Sequence, residues 1–153
     1  MKRQRGYGDM FVRQILADKD GNVVTTSPDA MLSDVVVLMD KKRIGAVVVL
    51  DADANLVGIV SERDINRGLA AYGVDLLTMR TDEVMTADVV TCSPDDSTEN
   101  LMRKMTAGRF RHLPVTENGK LVGIVSIGDV VKHRLEELEA ESSMLQDYIA
   151  GAA

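Results

Sequence analysis

Residues 56–65 read LVGIVSERDI and residues 121–130 read LVGIVSIGDV, so Leu-Val-Gly-Ile-Val-Ser-x-x-Asp occurs twice within 153 residues. The similarity continues outward. VVTTSPDA at 23–30 answers VVTCSPDD at 89–96, an offset of 66 from Pro28 to Pro94, and the same offset relates VVVLD at 47–51 to LPVTE at 113–117. Gly58 and Gly123 are 65 apart, so one residue is missing between ADAN and NGK. A single slip in a polar loop, with register kept on both sides, is how two copies of one folded unit differ.

Each copy has the same local grammar. A short β-branched strand, Val23 to Thr26 or Val89 to Cys92, runs into Ser-Pro-Asp, which predicts a helix with Ser as N-cap and Pro at its first position. Leu32, Val35 and Met39 recur at helical spacing in the first copy, and Leu101, Met102 and Met105 in the second, as one buried stripe requires. Two strands joined by a hairpin follow, around DADAN and around ENGK, and a second helix starts near Asp64 or Asp129. The unit is therefore β-α-β-β-α, the fold class is mixed α/β (α+β), and the expected domains are 10–72 and 73–136, with a linker at 73–82. Roughly sixty residues make a poor core alone, so the two units are expected to pack together with pseudo-twofold symmetry. The tail at 137–153 carries Leu138, Leu145, Tyr148 and Ile149 among many acids; a helix over the core, a dimer contact and a frayed end all fit it.

Composition narrows the function classes. Apolar residues reach 45% but aromatics only 3%, so the core must be aliphatic. One cysteine, Cys92, excludes an internal disulfide, and with His112 and His133 it makes no familiar zinc set, which points to a reducing cytoplasm. No apolar run is long enough to span a membrane, and the start MKRQRGYGDM is not followed by a signal-type apolar core. A net charge of −6 argues against a nucleic-acid partner, despite the small Lys2, Arg3 and Arg5 cluster. Catalysis lacks a constellation: there is no phosphate-binding G-x-x-x-x-G-K-[ST], no H-E-x-x-H, no G-x-S-x-G and no G-x-G-x-x-G. Cys92, aligned with Thr26, reads as a packing residue rather than a nucleophile.

The pairs Ser61 with Asp64 and Ser126 with Asp129 carry two readings. Each is a capping box, in which the hydroxyl accepts from a first-turn amide and the carboxylate reaches back. Each also stands where a glycine-containing strand feeds a helix start, whose free amides hold phosphate while a carboxylate one turn in accepts ribose hydroxyls. The second reading points to a nucleoside phosphate.

The duplicated unit, with SPD after its first strand, RHLPV on its second and LVGIV-S-x-x-D before its last helix, resembles a tandem pair of cystathionine β-synthase (CBS) domains over residues 10 to 136. The resemblance implies a regulatory module, commonly dimeric, whose clefts take adenosine-containing ligands: AMP, ATP, NAD(H) or S-adenosylmethionine. It assigns Asp64 and Asp129, with Ser61 and Ser126, to the ribose. Arg63, Arg111 and His112 match phosphate-facing positions, and Val24, Thr25, Val90 and Thr91 match the region that contacts adenine. Gly128 stands opposite Arg63, and Gly45 with Ala46 opposite Arg111 with His112, so the two clefts are expected to differ. The expectation is a stand-alone, cytoplasmic, homodimeric CBS pair without catalytic activity, sensing energy or redox state for a separate regulated protein. The alternative is a scaffold that dimerises without ligand. The two readings separate at Asp64 and Asp129, because a ribose diol wants a charged double acceptor and a helix cap does not.

Overall fold

The computed structural model describes residues 10–19 and 22–151. The basic cluster Lys2, Arg3 and Arg5 lies outside them. In chain order the elements are α1 (Val12–Ala17), β1 (Thr25–Thr26), α2 (Leu32–Lys42), β2 (Ala46–Leu50), β3 (Leu56–Ser61), α3 (Glu62–Tyr72), α4 (Thr98–Gly108), β4 (His112–Glu117), β5 (Lys120–Ser126) and α5 (Ile127–Gly151). Short 3-10 helices at Gly73–Thr78 and Thr81–Glu83 lie between α3 and α4. Two compact units result: residues 22–91 with 116–123, and, among described residues, 10–19 with 92–115 and 124–151.

In the first unit β1 pairs parallel with β2, and β2 antiparallel with β3, giving the order β1-β2-β3. The hairpin after β2 turns on Asp51, whose carboxylate accepts from the Asp53 and Asn55 amides at 2.9 and 2.8 Å. Beneath the sheet Leu32, Val35, Met39, Val47, Val49, Val60 and Leu76 form an aliphatic core, as alternation on strands and helical spacing on α2 demand. In the second unit the core is Val12, Ile15, Cys92, Leu101, Met105, Leu113, Val115, Val125 and Val130. The hairpin between β4 and β5 turns on Asn118 and Gly119, both at positive φ (53° and 77°), the backbone that a tight two-residue turn requires. The repeat is visible even in strain: α2 and α4 both end on a left-handed arginine, Arg43 (φ 53°) and Arg109 (φ 56°).

Four expectations need correction. Ser-Pro-Asp does not start a helix. Ser27 and Ser93 instead accept from the Ala30 and Asp96 amides at 3.2 and 3.0 Å, closing turns, and the helices begin at Leu32 and Thr98. Proline's fixed φ and the serine and aspartate side chains suit a turn as well as a helix start; the Asp96 carboxylate takes the Ser93 amide at 2.8 Å. The expected strand at Val89 to Cys92 shrinks to one bridge between Cys92 and Val115, and that at Val23 to Thr26 to two residues. Met102 is 38% exposed rather than part of the α4 stripe. The presumed linker is folded, with Leu76 wholly buried.

An unanticipated feature completes each unit. Residues 79–86 return across the first copy: Leu32 donates to the Met79 carbonyl, Thr81 to Ala30 and Asp82 to Pro28, all at 2.9 Å. Residues 10–13 make the matching bonds to the second copy: Thr98 to Met10, Val12 to Asp96 and Arg13 to Pro94, again at 2.9 Å. Each helix start is thus supplied with an acceptor by a segment that lies upstream of one repeat and downstream of the other. Val12 and Ile15, which precede the first repeat in the chain, are buried with the second.

Candidate functional site

The repeated Ser-x-x-Asp chemistry sits where a strand becomes a helix. Ser61 is the N-cap of α3 in extended conformation, and its hydroxyl lies 3.4 Å from the Asp64 amide. Asp64 Oδ2 accepts from the Ser61 amide (2.8 Å) and hydroxyl (2.9 Å), so the capping box is real. Its other oxygen accepts from Thr86 Oγ1 at 2.8 Å. The residue is only 7% exposed. In the second unit Asp129 Oδ2 accepts from the Ser126 amide at 2.9 Å, and the Ser126 hydroxyl takes the Asp129 amide at 3.1 Å. Here the closing residue is Lys19, whose ammonium reaches Asp129 Oδ2 at 2.7 Å and the Ile124 carbonyl at 2.9 Å. The Asp129 side chain keeps 25% of its surface.

Thr86 and Lys19 play one part in two chemistries, each delivered by the segment that returns across its unit. Neither stands in the LVGIV-S-x-x-D motif, and reasoning from the motif alone missed both. The only sequence signal is a faint likeness of MFVRQILAD to MRTDEVMTAD, which shares Met10 with Met79 and Asp18 with Asp88.

The electrostatics follow. Partial burial works against a charged Asp129, but the Lys19 ammonium and the Ser126 amide outweigh it and hold the carboxyl below its ordinary value of 3.8. Because the folded value is depressed, the bridge's stabilisation is present above pH 3.8 and is lost as pH falls through the folded value. Urea unfolding from about pH 5 to pH 2 should therefore show an acid-side loss of stability that Asp129→Asn and Lys19→Met both reduce. An unchanged acid limb in both variants would show that the bridge does not persist in solution. Burial, with Asp96 nearby, pushes the Cys92 thiol up to about 12, so it stays protonated and serves packing. Among the described residues no group of three or more His, Cys, Asp or Glu side chains is placed to hold a metal ion.

In the first unit the register pairs Thr25 with Val48 and Val48 with Ile59, and Ala46 with Ser61. Ser61, with exposed Arg63 and buried Asp64 just beyond it, therefore lies at the Ala46 end of the sheet, while Thr25, next to Val24, stands level with Val48 midway along β2. Val90 and Thr91 also belong to this unit, at the chain's exit from it. In the second unit the Arg111 carbonyl accepts from the Ile127 amide at 2.8 Å, which sets Arg111 and half-buried His112 beside the Ser126 cap. Gly128 gives that helix turn no side chain.

The sequence profile of the CBS domain matches residues 12–71 and 82–136. This chain belongs to the CBS-domain family. A CBS-domain protein from Agrobacterium tumefaciens superposes with a TM-score of 0.80 at 44% identity, covering 86% of this chain and 97% of that one. The CBS domain-containing protein CBSX3, mitochondrial, of Arabidopsis thaliana is 30% identical over 97% of this chain and 76% of its own length. The CBS domain pair of protein MJ0100, solved with 5-methylthioadenosine and S-adenosyl-L-methionine, shares the fold: TM-score 0.72 at 23% identity, covering 81% of this chain and 94% of that one. The α+β class inferred from the repeat is that of these CBS-domain structures. Among the described residues, no helix is long and apolar enough to cross a membrane.

Proposed function

We propose that this chain is a non-catalytic regulatory module of a reducing cytoplasm that binds an adenine nucleotide, of the AMP, ATP or NAD(H) class, and passes energy or redox state to a separate protein. The observation that carries the reading is the second helix start. There a partly exposed carboxylate, Asp129, stands in the first turn of α5, beside the basic residues Arg111 and His112. Its proposed task is the ribose diol, with Ser126 fixing its rotamer and Arg111 and His112 meeting phosphate. In the first unit Ser61 and Asp64 take the same roles, with Arg63 for phosphate, and Val24, Thr25, Val90 and Thr91 offer the aliphatic grip on adenine that a chain this poor in aromatics needs. An adenosyl ligand on the related pair of MJ0100 supports the class.

The two sites are unequal in this reading. Asp64 is buried with both oxygens engaged, whereas Asp129 keeps surface and has a partly exposed lysine partner. Nucleotide is expected to enter at Asp129 first. Thermal unfolding with AMP, ATP, NAD+, NADH and S-adenosylmethionine tests this. A ligand at a hundred times its dissociation constant adds about 2.7 kcal/mol, roughly 5 to 10 °C in a protein of this size. The shift should vanish in Asp129→Asn, which keeps a cap but loses the charge, and survive in Arg63→Ala.

One observation favours the scaffold reading: each carboxylate already has a partner from its own chain, Thr86 or Lys19. No shift with any of the five ligands would decide for it.

A further inference from the structure

Residues 10–19 are fastened to the second unit unequally along their length. At the start, Val12 and Ile15 have no exposed surface, and backbone bonds of 2.9 Å tie Met10, Val12 and Arg13 to Thr98, Asp96 and Pro94 respectively. Beyond Leu16, which packs partly against the core, the hold passes to two charged side chains. Asp18 Oδ2 lies 3.4 Å from Nε2 of buried His133, and Lys19 Nζ reaches Asp129 Oδ2 at 2.7 Å and the Ile124 carbonyl at 2.9 Å. Asp129 and His133 are one turn apart on α5, so consecutive residues of the segment grip consecutive turns of the helix. The Asp18 side chain keeps 63% of its surface and Lys19 35%, so either can return to water at small cost. The backbone beneath them adds little: the Asp18 amide meets the Ile15 carbonyl at 3.3 Å and the Lys19 amide the Leu16 carbonyl at 3.2 Å, at or beyond the long end for such bonds.

Resting on the nucleotide reading above, we propose that residues 16–19 are an autoinhibitory strap closed on the Asp129 site, which an adenosine-containing ligand opens by replacing Lys19 on the carboxylate. An ionised carboxylate oxygen offers two lone-pair sites. On Asp129 Oδ2 both are taken, one by Lys19 Nζ and one by the Ser126 amide. The Ser126 bond belongs to the helix cap, so a ribose diol that uses both carboxylate oxygens takes the place of Lys19. Once that hook is lost, the end of a six-residue helix has too few bonds to hold itself in water, and it frays back to the buried Val12 and Ile15. Occupancy of the site is thereby converted into a change of backbone order beside it. The coupling is reciprocal: whatever loosens the strap tightens the ligand.

Calorimetric titration of the full chain with adenosine and with AMP tests this. Both ligands should bind about three- to fivefold more tightly to Lys19→Met, because removing a partly exposed ion pair raises the open fraction by about that factor. Asp18→Asn leaves Asp129 and its lysine in place and should tighten adenosine by about twofold through the strap alone. In hydrogen exchange, the amides of residues 16–19 should exchange at least about fivefold faster in Lys19→Met without ligand, and faster also in the wild type with AMP, where binding would ordinarily slow exchange. If Lys19→Met binds AMP more weakly and adenosine unchanged, Lys19 serves the phosphate, and the strap fails while the nucleotide reading stands. Affinities that do not move in either variant, or exchange at 16–19 that slows when AMP is added to the wild type, would also overturn the strap alone. Absence of binding by all three proteins would overturn the nucleotide reading and the strap together.

Discussion

Leu76→Ala is expected to lower the unfolding free energy by about 3 to 4 kcal/mol, read as a fall in urea midpoint at unchanged slope. Leu76 sits in a 3-10 helix between the two repeats, where a connecting loop would ordinarily be solvated. Here it has no exposed surface and closes the core made by Leu32, Val35, Met39, Val47, Val49 and Val60. Its methyl groups lie where a Cβ on Gly68 of α3 would project, so Gly68 has no side chain to fill the cavity that alanine would leave. The neighbouring Leu77 is 40% exposed, and Leu77→Ala should cost well under half as much. Equal effects at the two positions would mean that the segment does not pack as described.

The second large effect is expected at Glu137. Its carboxylate accepts from the Met10 amide at 3.1 Å and from Thr98 Oγ1 at 3.0 Å, and pairs with Arg134 at 2.6 Å. Thr98 is 2% exposed, so Glu137→Ala strands a buried hydroxyl together with a backbone amide, at a cost of about 2 to 3 kcal/mol. Arg134 can return to water and adds little. Glu137→Gln keeps an acceptor for both donors and should restore more than half of the loss in the same urea titration. Failure of glutamine to rescue would show that charge, rather than the acceptor, is what the site requires.

These two residues show where reading from sequence stops. Leu76 looks like linker, since GVDLLTMRTD has no period of its own, and Glu137 looks like one of many acids on a solvated tail. The strand-helix junctions were legible because their chemistry is local: Ser and Asp three apart answer each other across one helical turn whatever surrounds them. Likewise the ENGK hairpin needs only Asn118 and Gly119 at positive φ. Ser-Pro-Asp misled for the same local reason, because it closes a turn as readily as it opens a helix, and the choice fell to backbone arriving from residues 10 and 79.

The repeated LVGIV-S-x-x-D, its flanking elements and its register determined by themselves the α+β unit, its duplication and the two paired Ser-Asp caps, because all of these follow from spacing along the chain. Only the tertiary structure decided which segment completes each unit, that Thr86 closes on Asp64 and Lys19 on Asp129, and that one face of α5 is anchored while the other is open. Those contacts join residues 22 to 127 positions apart. No periodicity encodes such pairings; they are selected by which surfaces can be buried together, and that depends on the whole fold at once.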